Sequence, residues 1–256
     1  MHTSLTDPAP PILHLLAHDI RWNLAKALAG SDYRVGELAT LIQQPLKLIS
    51  YHLRQLRDGQ LVHERRSTAD GRDLYYSLDL AHIEAVYQLA GATLHPCLGD
   101  DASAPRHAAD ATHAPTRVLF LCTHNSARSQ MAEAILRHIG GSTVLAFSAG
   151  TEQSTIHPQA IITLAAHGID TSSQTSKRLD AYAGEHFDYV ITVCDRAREI
   201  CPLFPGDPHQ IHWSFPDPAA IAAPLEQARA FEQTYTQLLT RMRFFLTVLD
   251  RQRRGA

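Results

Sequence analysis

The sequence predicts an α/β protein with two domains: a helical N-terminal domain that contains a β-hairpin, and a C-terminal domain with a doubly wound parallel sheet. Three observations support this prediction. The chain has 256 residues, which suits two domains of ordinary size. Helical spacing of apolar residues dominates its first hundred residues. After residue 116, apolar runs of strand length alternate with helical segments, the pattern of a parallel sheet.

A linker separates the two halves. Residues 100–116 are rich in Ala, Pro, Asp, Thr and His and show no periodicity, which is typical of a solvated linker. The predicted boundaries are therefore a domain at 1–99, a linker at 100–116 and a domain at 117–256.

Composition excludes several classes of protein. A net charge of −3 argues against a globally basic nucleic-acid binder but leaves local basic patches open. No apolar run reaches the roughly 18 residues of a membrane span, and the first residues lack the features of a signal peptide. We therefore expect a cytoplasmic protein without membrane contact, whose four cysteines stay reduced, which favours chemical over structural roles for them.

The N-terminal half combines helices with one hairpin. The segment LVHERRSTADGRDLYYSL alternates on both sides of Asp70-Gly71, a strong signal for two strands joined by a tight turn. Helices followed by such a hairpin have the layout of a winged helix-turn-helix. Helical spacing predicts helices at Ile12–Leu16, Trp22–Leu28, Val35–Ile42, Leu46–Arg57 and Leu80–Leu94.

The segment VGELATLIQQPLKLISYHLRQLRDGQLVHERR resembles the arsenic- and metal-responsive repressors of the ArsR family. The resemblance implies a homodimer, formed through this domain, that binds a double-stranded DNA operator with the helix Leu46–Arg57 in the major groove. The alternative is an ordinary solvated charged surface. The resemblance makes Lys47, Ser50, His52 and Arg54 the candidates that face DNA, and Arg65, Arg66 and Arg72 of the wing the candidates for phosphate contact.

This half departs from the family at its sensor. Arsenite-sensing members often carry Cys-x-Cys in the first helix of the motif, where this chain reads ELATLIQQ, so no thiolate site can form there. A metal site on the last helix would need partners that His82 lacks, and we predict no metal. Cys97 is the only thiol of this half and is interpreted as an ordinary cysteine, unless a dimer pairs two copies. The inducer is not readable from the sequence.

The C-terminal half predicts strands at 117–121, 144–147 and 187–193, the last followed by a short helix and the segment QIHWSF. Helices are expected near Ser129–Ile139, Pro158–His167 and Leu225–Leu249. The first strand ends at Cys122, and the turn that follows reads Cys122-Thr-His-Asn-Ser-Ala-Arg128 before Ser129 opens a helix.

This Cys-x5-Arg turn predicts a thiolate cradle for an oxyanion. Successive N–H groups of residues 123–128 at a helix N-terminus form an anion site, which should lower the pKa of Cys122. Arg128 offers a planar fork to two oxygens, and Ser129 can donate to the sulfur. Asn125 should hydrogen-bond the loop backbone and hold the shape of the cradle. The alternative is a buried structural cysteine. The residues expected to bind the oxyanion or support the loop, besides Arg128 and Ser129, are Thr123, His124, Asn125, Ser126 and Ala127.

An acid completes the predicted site. Asp217 lies in the turn WSFPDP, whose prolines fix the backbone, and can protonate an oxygen that leaves phosphorus or arsenic.

From Arg117 to about Asp250 the chain resembles the low-molecular-weight tyrosine phosphatase fold, in its thioredoxin-coupled arsenate reductase branch. The resemblance lies in CTHNSARSQMAEA, FSAGTE, HPQAI, SKRLD, FDYVITVCDRAREICP and HWSFPDP. It implies that Cys122 is the nucleophile, that Arg128 and the loop amides bind the oxyanion, and that Asp217 is the acid. Some reductases bind potassium at positions matching Asn125, Glu133 and Ser148, plus an acidic residue where this chain has Lys177, so we predict no potassium requirement and no cofactor.

Cys194 and Cys201 separate a reductase from a phosphatase. A phosphatase needs only Cys122, whereas reduction of arsenate needs two electrons from thiols. In the expected relay Cys122 and Cys194 form a disulfide, Cys201 then attacks Cys194, and thioredoxin reduces the disulfide passed outward. On an intact helix these two cysteines would lie about 10 Å apart, beyond the roughly 7 Å limit of a disulfide, so the segment must unwind. The alternatives are a phosphotyrosine phosphatase fused to a DNA-binding domain, and a transcription factor with an oxyanion- or redox-sensing domain.

Overall fold

The computed structural model describes residues 9–95, 114–152, 154–201 and 204–254. The chain divides into two compact units, within residues 1–104 and 105–256, with residues 68–70 grouped with the second. Cys97 and most of the predicted linker lie outside the described residues. Among the helices of the described ranges, none combines the length and the apolarity of a membrane span.

The first unit contains five helices and a three-stranded antiparallel sheet within its described residues, in the sheet order β1-β3-β2. The predicted hairpin is confirmed, since Val62 pairs with Leu78 and Arg66 with Leu74. The elements are α1 (Pro11–Leu16), α2 (Asp19–Gly30), β1 (Tyr33–Arg34), α3 (Val35–Ile42), α4 (Leu46–Asp58), β2 (Val62–Arg66), β3 (Leu74–Leu78) and α5 (Leu80–Leu94).

The turn between α3 and α4 has a local cause. Gln43 adopts a left-handed conformation with φ of 55° and ends α3. Pro45 follows, and its fixed φ and missing N–H suit the start of α4. The two helices and α2 bury leucines against one another, among them Leu24 and Leu38 at 0% exposure. The turn therefore sets α3 and α4 around a small core.

The second unit is a four-stranded sheet whose neighbouring strands are all parallel, in the order β5-β4-β6-β7, so the predicted parallel sheet is confirmed. Its elements are β4 (Thr116–Cys122), α6 (Arg128–Gly140), β5 (Val144–Gly150), α7 (Pro158–Ala166), β6 (Tyr189–Thr192), α8 (Asp195–Glu199), β7 (His209–His212) and α9 (Pro224–Arg254).

The strand order positions the chemistry. β4 is a central strand, and its residues Val118 to Leu121 are at most 3% exposed. The chain crosses from β4 to β5 on one side and reaches β6 on the other, and sheets of this kind bind ligands where the strand order reverses. Leu121 pairs with Thr192, so Cys122, the last residue of β4, and Cys194, two residues after the end of β6, emerge at the same edge.

Candidate active site

The loop after β4 is held by its carbonyl oxygens. The carbonyls of Thr123 and Ser126 accept from the N–H groups of Glu152 and His157, each at 2.8 Å. The carbonyl of His124 accepts from the Ser176 hydroxyl at 3.3 Å. A trans peptide sends its C=O and the next N–H in opposite directions, so these bonds turn the N–H groups toward the other side. One of them, on Asn125, donates to Cys122 Sγ at 3.1 Å.

Cys122 lies at the centre of this loop and is 3% exposed. Its sulfur is 2.9 Å from the Ser129 hydroxyl, as predicted for a donor to the sulfur. Burial raises the pKa of Cys122, and the neighbouring Cys194 raises it further, whereas Arg128 and Ser129 lower it. The expectation of a lowered pKa is therefore wrong for this arrangement, because loss of water around the sulfur outweighs the charge of the guanidinium.

The side chain of Asn125 joins the loop to its surroundings. It is fully buried, in a left-handed conformation with φ of 48°. Its amide donates to the hydroxyls of Ser129 at 2.9 Å and Ser148 at 2.8 Å. Its oxygen accepts from Gln130 Nε2 at 2.8 Å and the Lys177 N–H at 2.7 Å. Asn125 thus holds the loop through α6, β5 and the segment before Arg178, rather than through the loop's own backbone as predicted.

Gly150, at the end of β5, allows the loop to lie against the sheet. A Cβ atom on this residue would fall 2.7 Å from the backbone nitrogen of Asn125 and 2.8 Å from the carbonyl oxygen of Thr123. Backbone atoms cannot move aside cheaply, so only glycine fits here.

A buried carboxylate lies behind the loop. Glu133 of α6 is 1% exposed and accepts a hydrogen bond from the Ser148 hydroxyl. Two cations compensate its charge: Arg137 at 2.5 Å and the Lys177 ammonium at 3.5 Å, which also donates to the Thr175 carbonyl at 2.9 Å. Of the three residues expected to match a potassium site, Glu133 therefore lies beside an ammonium of the chain itself, whereas Asn125 and Ser148 hydrogen-bond each other.

Arg128 and Asp217 meet beside the cradle. The Arg128 Nη2 atom lies 2.9 Å from the Asp217 carboxylate, and its Nη1 donates to the carbonyl of Phe215 at 3.0 Å. The arginine side chain is 8% exposed, against 35% for the aspartate. The guanidinium is therefore fixed by the loop that carries the acid, and the acid stays accessible from solvent.

The second cysteine lies next to the first. Cys194 is 2% exposed and its sulfur is 3.5 Å from the hydroxyl of Thr123, the neighbour of Cys122. It occupies the N-cap of α8, where it accepts from the Ala197 N–H at 3.4 Å. Cys201 follows the end of α8 at Glu199 and is half-buried, and burial raises its pKa. Among the described residues, no disulfide joins Cys122, Cys194 or Cys201.

The remaining loop residues differ in exposure. Thr123 and Ala127 are buried, Ser126 is half-buried, and His124 is exposed and 3.2 Å from Glu152. The predicted nucleophile, arginine, acid and Cys194 therefore come together, whereas His124 points to the rim.

The DNA-facing candidates of the first unit divide into two groups. Lys47 and Arg54 are exposed on α4, and Ser50 is half-buried. His52 is 3% exposed, and its ring lies 4.4 Å from that of His18, so this residue is corrected from a DNA-facing to a core position. Helical spacing places it on the same face as buried Ile49, which the sequence pattern had allowed. On the hairpin Arg66 and Arg72 are exposed and Arg65 is half-buried.

Sequence reasoning missed three residues. Gln130 binds Asn125, Gly150 admits the loop, and Arg241 contacts the acid loop. The signal for Gly150 was its place in FSAGTE directly after a strand. Gln130 and Arg241 carry no local signal, because their partners lie on other elements.

Comparisons with known proteins concern the second unit. Residues 117–255 match the family described as low molecular weight phosphotyrosine protein phosphatase. Over 102 residues the chain is 43% identical to an arsenate reductase of Bacillus cereus (strain Q1), covering 40% of this chain and 76% of that protein. It is 39% identical over 116 residues to an arsenate reductase of Bacillus subtilis (strain 168), covering 45% and 84%. A solved arsenate reductase in its reduced state is 28% identical with a TM-score of 0.43, covering 52% and 98%.

Proposed function

Because the chain belongs to the low molecular weight phosphotyrosine protein phosphatase family through residues 117–255, we propose that this cradle reduces arsenate and passes the resulting disulfide to thioredoxin. The observation that carries the proposal is the Cys194 sulfur, 3.5 Å from the Thr123 hydroxyl and next to Cys122. Ester hydrolysis in such a cradle has no use for a second buried thiol.

The first step forms an adduct. Cys122 attacks arsenic while Arg128 and the loop N–H groups hold the other oxygens. A sulfur–arsenic bond forms and an arsenic–oxygen bond breaks. The departing oxygen takes a proton from Asp217 and leaves as water, and the proton that the thiol gives up balances this one.

The next steps move two electrons. The Cys194 thiolate attacks the sulfur of Cys122, so that a disulfide forms and the sulfur–arsenic bond leaves its electron pair on arsenic. Arsenic(V) thereby becomes arsenic(III) and departs as arsenite. Cys201 then attacks Cys194 and frees Cys122, and a thioredoxin dithiol reduces the Cys194–Cys201 disulfide. The short α8, which ends two residues before Cys201, supports this transfer because few helical hydrogen bonds must break.

Thiol variants test the relay. We expect Cys122→Ser to abolish arsenate-dependent NADPH oxidation, coupled through thioredoxin and its reductase, and also ester hydrolysis, because a hydroxyl is a poorer nucleophile. Cys194→Ser and Cys201→Ser should abolish turnover with arsenate and keep ester hydrolysis. Cys201→Ser should stop after one turnover as the Cys122–Cys194 disulfide, visible by mass spectrometry. Full coupled turnover in both variants would contradict the relay.

A phosphatase is the second candidate. Cys122, Arg128 and Asp217 form the complete set that hydrolysis of a phosphate ester needs, and Arg128 and Asp217 are 2.9 Å apart. The same assays separate the candidates: ester turnover without arsenate turnover in the unchanged protein would favour a phosphatase. Loss of both reactions would favour a domain that only senses an oxyanion or its redox state.

For the first unit we propose an ArsR-like winged helix that binds operator DNA. The order of α3, α4 and the β2–β3 hairpin supports it, as do the exposed Lys47 and Arg54 of α4. A dimer through this unit is supported by large apolar side chains exposed on its outer helices, a feature typical of interfaces. They are Leu13, Trp22, Tyr87, Leu89 and Leu94.

A further inference from the structure

The loop after β7 carries Asp217 and contains two aromatic side chains that a cation contacts. Trp213 and Phe215 are each 3% exposed. The guanidinium carbon of Arg241, on α9, lies 5.9 Å from the ring centroid of Trp213 and 5.7 Å from that of Phe215. Both distances fall within the roughly 6 Å at which a cation and an aromatic ring attract each other. One side chain of α9 therefore binds two positions of the acid loop.

A restricted stretch of backbone connects the residues that Arg241 contacts to the carboxylate of Asp217. The ring of Phe215 contacts Arg241, and the carbonyl of Phe215 accepts from Arg128 at 3.0 Å. Pro216 follows, and its ring restricts the backbone between Phe215 and Asp217. Asp217 in turn pairs with Arg128 at 2.9 Å. A shift of the Phe215 ring must therefore displace the carboxylate relative to the guanidinium that holds the oxyanion.

We propose that Arg241 is a positioning residue for the general acid. It holds the acid loop so that Asp217 meets the oxygen that leaves phosphorus or arsenic, and it touches no substrate itself. The inference rests on the proposed function, since it assigns Asp217 the role of proton donor in this cradle.

Two esters test this role in the full-length protein. In both, the Cys122–phosphorus bond forms as the phosphorus–oxygen bond breaks, and water then hydrolyses the phosphocysteine to phosphate and restores the thiol. The oxygen of p-nitrophenyl phosphate leaves as a stable anion, whereas that of phenyl phosphate needs a proton from Asp217. Arg241→Met, which removes the charge, should lower kcat/KM, which reports the step that cleaves the ester, about tenfold on phenyl phosphate and less than about threefold on p-nitrophenyl phosphate. Arg241→Lys, which keeps a cation, should recover most of the loss.

Three controls make the test decisive. Arg243→Met changes an exposed arginine on the same helix and should leave both rates unchanged. Arg241→Gln gives the same comparison if Arg241→Met does not fold. In an Asp217→Asn background, Arg241→Met should add no further loss on phenyl phosphate, because residues that act as a unit are not additive.

The outcomes distinguish the two levels of the proposal. An equal loss on both esters, or a loss that adds fully to that of Asp217→Asn, overturns the positioning role and leaves Arg241 a packing residue. An unchanged protein that neither hydrolyses these esters nor reduces arsenate overturns the proposed function instead.

Discussion

Replacement of Asn125 should separate two contributions to the shape of the cradle. Its side chain makes four hydrogen bonds, with Ser129, Ser148, Gln130 and the Lys177 N–H, and its backbone has a φ of 48°. Asn125→Ala removes the bonds and puts alanine, whose Cβ atom makes the left-handed conformation unfavourable, at this position. Asn125→Gly removes the same bonds but tolerates the conformation.

The magnitudes follow from these contacts. Each lost hydrogen bond costs about 1 kcal/mol net, so four lost bonds lower the free energy of unfolding by about 4 kcal/mol. The left-handed backbone adds about 1 kcal/mol for alanine but not for glycine. We therefore expect losses of about 5 kcal/mol for Asn125→Ala and about 4 kcal/mol for Asn125→Gly. Ester turnover should fall about 100-fold in both, because the loop amides lose their alignment.

Urea unfolding measures both losses. The chain has two tryptophans, so a Trp22→Phe background leaves Trp213, buried in the second unit, as the reporter of unfolding there. The slope against urea concentration should not change, since the same surface unfolds. A loss below about 1 kcal/mol in both variants would refute the hydrogen-bond argument. Equal stability of the alanine and glycine variants would refute the conformational one.

Three further predictions concern charged and basic groups. The unchanged protein should reduce arsenate at the same rate in potassium chloride and in tetramethylammonium chloride, because the Lys177 ammonium neutralises Glu133. Lys177→Ala should make the rate depend on potassium. An equal rate of this variant in the two salts would contradict the prediction. Burial, His18 and Arg21 lower the pKa of His52, so the unfolded chain binds the proton more readily, and the stability of the first unit should fall as the pH drops below about 6.5. Urea unfolding at pH 7.5 and 5.5 tests this, and His52→Gln should show less pH dependence than the unchanged protein. Lys47→Ala and Arg54→Ala should each weaken promoter binding about tenfold in gel-shift titrations, while the circular dichroism spectrum stays unchanged. Full affinity of both variants would contradict the placement of α4 in the major groove.

The parallel sheet and the position of the cradle were predictable from the sequence because both depend on local pattern. Apolar residues at strand spacing before Cys122 and helical spacing after Ser129 define a strand, a turn and a helix without reference to the rest of the chain. The hairpin around Asp70-Gly71 was predictable for the same reason, although its connection spans residues 67–73 rather than a two-residue turn. Cys122 and Arg128 lie in the Cys-x5-Arg turn, and Asp217 lies in the segment WSFPDP, so short sequence patterns were enough to find all three.

Only the tertiary structure decided which residues support these groups. The burial of His52, the direction of the Cys122 pKa shift and the bonds of Asn125 depend on side chains that are distant in sequence. Periodicity places His52 on the face of α4 that carries Ile49, but it does not show that the ring of His18 packs against that histidine. Desolvation likewise depends on everything that surrounds a sulfur. Short segments of the sequence therefore determine which residues can react. The burial and hydrogen bonds that set the reactivity of these residues arise only when α6, α9 and the sheet pack together.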